Sequence, residues 1–332
     1  MEQSEKTKEK PKYRLVWATV IALVVLAAAG YAAGVYKNRV TVSGLTGNTV
    51  NGTEKAADVL LPDTGAGPGS SDQKTHDDSA GIPRESAGES EKAALSPGTQ
   101  VADADRRGWG LKPNDEHRQP EVPSSISSLL KKYGAHWIGR PDEKVLYLTF
   151  DEGYEAGYTP KILDVLKENG VPAAFFVTGH YVRSQPELVK RMVAEGHIVG
   201  NHTDSHPSLP EISNEEIEKE LAAVEKEFSR VTGVKGMKYL RPPKGEYSER
   251  TLAFTRQLGY YNIFWSLALV DWVPMPGGPQ EAYSTVMGRL HNGAVILLHA
   301  VSADNTAALD RIIKDAKAQG YTFKTLDDLV AG

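Results

Sequence analysis

The sequence predicts an α/β protein whose main domain is a (β/α) barrel of about seven parallel strands, preceded by one membrane-spanning helix and a disordered linker. Three observations predict this. From Val145 to Leu329, short apolar runs alternate with stretches of helical period, and repeated strand-then-helix units build a parallel sheet with helices outside. So many units favour closure into a barrel over an open sheet. Upstream, Leu15 to Val35 carries no charge, and residues from 41 to about 120 lose both their large apolar side chains and any steady period.

Residues 1–14 are polar and basic, with Lys6, Lys8, Lys10, Lys12 and Arg14. Residues 15–35 read as an anchor: about 21 residues give roughly 31 Å of helix, the thickness of a bilayer's hydrocarbon core. The basic flank sets the N-terminus in the cytoplasm, a bias that Lys37 and Arg39 weaken. The rival reading is a cleaved signal peptide ending near Ala27-Ala28-Ala29. Either way the bulk of the chain lies outside the cytoplasm. Residues 36–108 read as a linker, typified by Asp63-Thr-Gly-Ala-Gly-Pro-Gly-Ser-Ser71. The low-complexity stretch from 41 to about 120, about 80 flexible residues, spans roughly 50 Å, a tether that lets a domain search a nearby surface. Residues 109–144 regain aromatics, and Trp109, Ile126, Leu129, Leu130, Tyr133, Trp137 and Ile138 read as an extension packing outside the barrel, with a short helix ended by Gly134.

The barrel domain, 145–332, opens with a strand from Val145 to Phe150. A helix starts at Thr159-Pro160, with threonine as cap and proline at the first helical position, and ends at Gly170. Ala174 to Val177 is the second strand; Ser184 and Glu187 fit a capping box for the next helix. A short third strand, Ile198 to Asn201, precedes another capping box, Ser213 and Glu216, and a helix with Ile217, Leu221, Val224 and Phe228 on one face. Tyr239-Leu240 is the fourth strand, Tyr260 to Ser266 the fifth, Ala294 to Leu298 the sixth and Thr322 to Leu326 the seventh. Helices carrying Leu252 and Leu258, Ser284 to Leu290, and Leu309, Ile312, Ile313 and Ala316 lie between them.

Composition narrows the chemistry. A net charge of −5 and a pI near 6.0 argue against a nucleic-acid binder. The absence of cysteine excludes disulfide frameworks, thiolate metal sites and thiol nucleophiles, so any metal rests on His and carboxylates. Nearly every strand then delivers an ionisable residue at its C-terminal end, the face on which barrels carry chemistry. The first strand runs into Asp151-Glu152-Gly153, paired carboxylates suited to base and metal-ligand work. The third ends at His202, with His206 four residues on; on a helical turn the two imidazoles would share one side, within reach of one ion. Asp204 between them reads as solvated. The fourth ends at Arg241, stiffened by Pro242 and Pro243, where a fixed guanidinium beside a carboxylate holds it ionised. The fifth leads to Asp271-Trp272 and the sixth to His299; an Asp271–His299 pair would keep the imidazole protonated as an acid. Tyr154, Tyr158 and Tyr247 read equally as sugar contacts or as ordinary packing.

These residues resemble the NodB-type polysaccharide deacetylases, carbohydrate esterase family four. Thr149-Phe-Asp-Glu-Gly153, His202-Thr-Asp-Ser-His206, Arg241-Pro-Pro-Lys-Gly245, Asp271-Trp272 and Ile296-Leu-Leu-His299 are similar to its five motifs, in order. Two positions depart: Glu152 stands where the family usually has a second Asp, and Ala268 where it has the earlier Asp of the fourth motif. Within the family, the likeness is greatest to spore-cortex muramic-acid deacetylases, through Trp109-Gly-Leu, Gly153-Tyr-Glu-Ala-Gly-Tyr158, Phe264-Trp-Ser266, Val270-Asp-Trp272 and His299-Ala-Val-Ser-Ala-Asp-Asn305. The resemblance implies a distorted barrel, a divalent cation (zinc, cobalt or magnesium) and hydrolysis of N-acetyl groups on the amino sugars of a polymer. Muramic acid of peptidoglycan is the leading expectation, with N-acetylglucosamine of peptidoglycan, chitin-like glycans, or a catalytically weak glycan-binding protein of the same fold as the alternatives. It implies Asp151 as base, His202 and His206 as metal ligands, and Arg241 as the group orienting Asp151. The Lys244 N–H would meet the oxyanion, His299 protonate the leaving amine, Asp271 tune His299, and Trp272 wall the substrate site. Glu152 counts as a third ligand, with three readings open: ligation in a shifted geometry, contact through water, or a two-histidine site of weak affinity that leaves it out. Glycan strands and the membrane are the expected partners, with no nucleic acid and no protein partner identified.

Overall fold

The computed structural model describes residues 104–112 and 116–332. The predicted anchor and almost all of the predicted linker lie outside the described residues. Among the described residues no helix is long and apolar enough to cross a membrane. The described residues include the last few of the predicted linker, and these are structured: β1, Arg107–Gly108, pairs antiparallel with β6, Glu246–Tyr247. Helix α1, Ser124–Lys132, follows, and Gly134 turns the chain at φ 61°.

The domain is a curled, half-barrel sheet of parallel strands with helices outside. Seven strands lie in the spatial order β7 (Tyr261–Asn262), β5 (Tyr239–Leu240), β4 (Ile198–Asn201), β3 (Ala174–Val177), β2 (Val145–Glu152), β9 (Ala294–His299), β8 (Leu267–Ala268). The central strand β2 is flanked by β9 on one edge; its other edge is shared, β10 (Thr322–Phe323) pairing with Val145–Leu146 and β3 with Thr149–Glu152. Helices α2 (Thr159–Asn169), α3 (Gly179–Ser184), α4 (Pro186–Ala194), α5 (Asn214–Thr232), α6 (Glu249–Gln257), α7 (Gly278–Arg289) and α8 (Ala303–Ala318) connect them, and α9 (Leu326–Ala331) ends the chain.

Every residue of β2 is buried, as a strand covered on both faces requires. Alternation sends Leu146, Leu148 and Phe150 outward to the helix layer, with Phe175, Val177 and Ile296, and sends Val145 and Tyr147 inward, with Phe176, Tyr239, Ile263 and Val295. Each large apolar side chain so buried contributes about 1.5–3 kcal/mol. The inner cluster fills the lower barrel and is closed beneath by Leu326 and Leu329 of α9. The upper, C-terminal rim of the strands is left open.

Four elements differ from expectation. The fifth strand is not continuous: Tyr261–Asn262 pairs with β5, Leu267–Ala268 pairs with β9 on the far side, and residues 263–266 carry the chain across the gap. Thr159 is the first helical residue rather than the cap of α2, and its hydroxyl turns to Glu152. Ser184 caps nothing; α4 starts at Pro186, whose missing N–H costs nothing at a helix start. Leu326 belongs to α9, started by a capping box of Thr325 and Asp328, and not to the last strand. The Ser213–Glu216 box forms with both of its bonds, at 3.2 and 2.8 Å.

Candidate active site

Asp151 has the inward parity of Tyr147 and Thr149, so the end of β2 aims it at the open rim. One carboxylate oxygen accepts from Arg241 Nη1 at 2.7 Å; the other lies 3.6 Å from His202 Nε2. Arg241 is wholly buried and pinned on every side. Its second Nη donates to Thr149 Oγ1 at 2.8 Å, its Nε to the Ile263 carbonyl at 3.2 Å, and its plane lies 4.2 Å from the Phe176 ring. Burial alone would raise the Asp151 pKa, but the charges of Arg241, His202 and His299 and the Arg241 bond outweigh it and hold the carboxyl below its ordinary value.

His202 follows β4 directly. Its Nδ1–H donates to the Arg241 carbonyl at 2.8 Å, because a carbonyl only accepts, and this leaves the Nε2 lone pair facing Asp151. His206 reaches the same place without the expected helical turn: Thr203 and His206 both take left-handed backbone, φ 66° and 61°. Hydrogen bonds hold that loop, Thr203 N–H to Asn201 Oδ1 at 2.8 Å and Ser205 N–H and Oγ–H to Glu220 at 2.8 and 2.7 Å. The two rings meet edge to face, 4.8 Å apart. Burial lowers the pKa of both, His206 to about 4, so both are neutral, with lone pairs free, at neutral pH.

Glu152 does not join them: its place among the ligands is corrected, and of the three readings left open the two-histidine site is the one this geometry favours. It has the outward parity of Phe150, is fully buried, and its carboxyl accepts from Thr159 Oγ1 at 3.3 Å under α2. It does not line the cleft. Burial, with Glu155 and Asp151 nearby, pushes its pKa well above the ordinary value. Among the described residues no group of three or more His, Asp or Glu is arranged to hold an ion. The donors fit a divalent cation as a two-histidine seat, two neutral imidazoles with one Nδ1 anchored on a carbonyl, and no further.

Opposite Asp151, in direct register across the β2–β9 pair, stands His299. Its Nδ1–H donates to Asp271 Oδ1 at 2.7 Å and its backbone N–H to Asp271 Oδ2 at 2.8 Å. Burial works against the charged imidazole, but the Asp271 bond and the Asp151 charge outweigh it, and the pKa is raised. The Trp272 ring stands edge-on, 5.3 Å from His299, and is 57 % exposed. Lys244, at φ 59°, lies in the turn Pro243–Gly245, so the strain of this site includes its backbone.

These groups line one cleft of about 1290 Å³, with Asp151, His202, His206, Lys244, Trp272 and His299 on its walls. Tyr154 is exposed at its rim, whereas Tyr247 is buried among Phe264 and Trp109 as ordinary packing. Asp204 pairs with Arg183. Sequence reasoning missed two supports. Trp109 donates its backbone N–H to the Gly245 carbonyl at 2.8 Å and its indole N–H to the Trp265 carbonyl at 2.9 Å, bolting the extension to the Lys244 turn. Gly245 is obligatory there: φ is 65°, and a Cβ would come within 2.8 Å of the Trp265 ring. Asn305, the second, donates its side-chain amide to Asp271 Oδ2.

Comparison with known proteins agrees with this arrangement. Residues 138–263 match the family model described as polysaccharide deacetylase. The peptidoglycan-N-acetylmuramic acid deacetylase PdaA of Bacillus subtilis is 49 % identical over 223 residues, 67 % of this chain and 85 % of that protein. The solved structure of Bacillus subtilis PdaA, a family 4 carbohydrate esterase, superposes with a TM-score of 0.66 at 48 % identity, covering 68 % of this chain and 97 % of that one. A peptidoglycan-N-acetylglucosamine deacetylase of Bacillus cereus is 34 % identical over 206 residues, 61 % of this chain and 74 % of that protein. A strand-end carboxylate held by a buried arginine, a histidine pair and an Asp-bound histidine facing them, on a chain so extensively alike, belong together: the protein is a member of the polysaccharide deacetylase family, carbohydrate esterase family 4.

Proposed function

We propose that this chain is a membrane-tethered, extracytoplasmic peptidoglycan N-deacetylase acting on muramic acid, in spore cortex on the way to the muramic δ-lactam, with a divalent cation (zinc, cobalt or magnesium) seated on His202 and His206. The observation that carries the reading is the pair Asp151 and His299, facing each other across adjacent strands with opposite pKa shifts, one held ionised and one held protonated. An amide needs both: a base for the attacking water and an acid for an amine that leaves poorly unprotonated. A bound cation supplies polarisation of the acetyl carbonyl and a more acidic water.

The chain's own groups do the rest. Asp151, oriented by Arg241, takes a proton from the water as it adds to the acetyl carbon. The Lys244 N–H meets the negative charge on the carbonyl oxygen. His299 delivers its proton to the sugar nitrogen as the C–N bond breaks, releasing acetate and leaving a free amine, while Asp271 keeps the imidazole charged until then. Trp272 and Tyr154 offer exposed aromatic faces to sugar rings at the rim.

The 49 % identity to a muramic-acid deacetylase supports the muramic assignment; the 34 % identity to a glucosamine deacetylase supports a second reading, the same reaction on N-acetylglucosamine. Acetate release from purified peptidoglycan, with and without added zinc, cobalt or magnesium, followed by mass mapping of the product, separates them. A free amine on muramic acid is expected. A free amine on glucosamine alone selects the second reading, and no acetate above blank with retained glycan binding overturns both.

A further inference from the structure

The Asp271–His299 pair is held by a residue beyond the five motifs, at the end of the His299–Asn305 segment. Asp271 is fully buried and lies in the segment between β8 and α7, a stretch with no regular hydrogen-bonding ladder of its own. Two contacts from the first turn of α8 tether that segment. Asp304 accepts the Met275 N–H at 3.0 Å, and Asn305 donates its side-chain amide to Asp271 Oδ2. Asn305 is itself buried, and its backbone N–H is received by the cap Ser302 at 3.2 Å, so it is fixed to the helix frame. Its amide orientation is forced, because an ionised carboxylate only accepts and the flipped amide would set oxygen against oxygen. That orientation leaves the Asn305 Oδ1 buried and with no donor among the described residues.

Asp271 therefore receives donors on both oxygens: His299 Nδ1–H on Oδ1, and the His299 backbone N–H with the Asn305 amide on Oδ2. With Oδ2 doubly occupied, the carboxylate has one rotamer in which Oδ1 points at the imidazole. We infer that Asn305 is a positioning residue for the acid step, locking Asp271 so that His299 stays aimed into the cleft with its proton. The inference rests on His299 being the acid of the proposed deacetylation and goes beyond it by naming what holds the acid's partner in place.

The charged and titratable groups facing His299 are Asp271 from its own wall, Asp151 from β2, Arg241 after β5, and His202 and His206 after β4. Asn305→Ala changes none of these groups. It frees the Asp271 carboxylate to rotate and weakens the bond that keeps His299 charged.

The test is steady-state acetate release by the full chain on purified peptidoglycan. For Asn305→Ala, kcat is expected to fall by about 10- to 100-fold with KM within about twofold, as for a displaced reacting group. The alkaline limb of the pH–rate profile moves to lower pH. For the isosteric Asn305→Asp, which carries the test if the alanine variant does not fold, the new acid donates to Asp271 while protonated and repels it once ionised. Activity is then near normal at low pH and is lost as pH rises, below the wild-type alkaline limb. A role in folding alone would lower Tm and leave both kcat per folded molecule and the pH limb unchanged, which overturns the inference. If His299→Ala abolishes activity while both Asn305 variants behave as wild type, the inference fails and the acid reading stands. If His299→Ala stays active, the acid reading itself has failed.

Discussion

Glu152→Gln separates a buried structural acid from a metal ligand. Glutamine keeps the shape of the side chain and an acceptor for Thr159 Oγ1, and it removes only the capacity to ionise. Because Glu152 is fully buried with its pKa raised, the folded state holds a proton that the unfolded chain releases above its ordinary value of 4.5. The sign follows: wild-type stability is complete below that value and declines as pH rises toward the folded-state pKa. One proton sets the slope at no more than about 1.4 kcal/mol per pH unit, so between about pH 5 and about pH 7 the wild type loses up to about 2.7 kcal/mol. Glutamine carries no such loss. Urea denaturation of both proteins across that range should show the variant gaining on the wild type as pH rises. Zinc affinity, measured by competition with a chelator, should agree within about twofold. Parallel stability curves would refute the buried-acid reasoning. A loss of affinity of about tenfold or more, as expected when a metal site's support is removed, would restore Glu152 to the site.

Asp151→Asn and His299→Ala should each cut acetate release by at least about 10²-fold with the fold intact by circular dichroism, as for a positioned base and acid. The pH dependence of kcat/KM should be bell-shaped. Activity is lost as pH falls through the Asp151 pKa, which lies below 3.8, and as pH rises through the His299 pKa, which lies above 6.5. An alkaline limb below 6.5 contradicts the Asp271–His299 pairing; on the acid side protonation of His206, at about 4, also empties the cation seat, so the Asp151 assignment is read from the Asp151 and Arg241 variants. Arg241→Met leaves the Asp151 carboxylate buried without its counter-charge and should cost about 3–5 kcal/mol in urea unfolding at neutral pH. A much smaller cost at low pH, where Asp151 is protonated, is the matching control.

Most of the site was legible because strand-end chemistry is written locally. A short apolar run followed by Asp, His or Arg, repeated along the chain, already puts Asp151, His202, Arg241 and His299 on one rim, and the sheet register brings Asp151 and His299 opposite each other. Glu152 stayed open among ligand readings although its alternation with Phe150 points it outward; two adjacent strand residues face opposite sides, and the pairing of charges in sequence obscured that. The run Tyr260–Ser266 has the composition of one strand, but residues 263–266 are needed to cross between the two ends of the curled sheet, a constraint no local pattern carries. Thr159 and Ser184 have cap-forming side chains, yet a buried carboxyl claims the first and Pro186 starts the helix beyond the second. Trp109 and Asn305 were visible as residue types and not as contacts, since their partners lie far along the chain.

The indole bond of Trp109 joins residues 156 positions apart. A contact of such separation repays its loop-closure entropy only after most of the intervening chain is organised. The Lys244 turn, which that residue fastens through the Gly245 carbonyl, therefore takes its final support only once the extension has met the chain around Trp265. The strand pairs that build the core, β2 with β9 and with β10, close over comparable separations, so recovery of acetate release on refolding should track recovery of the core.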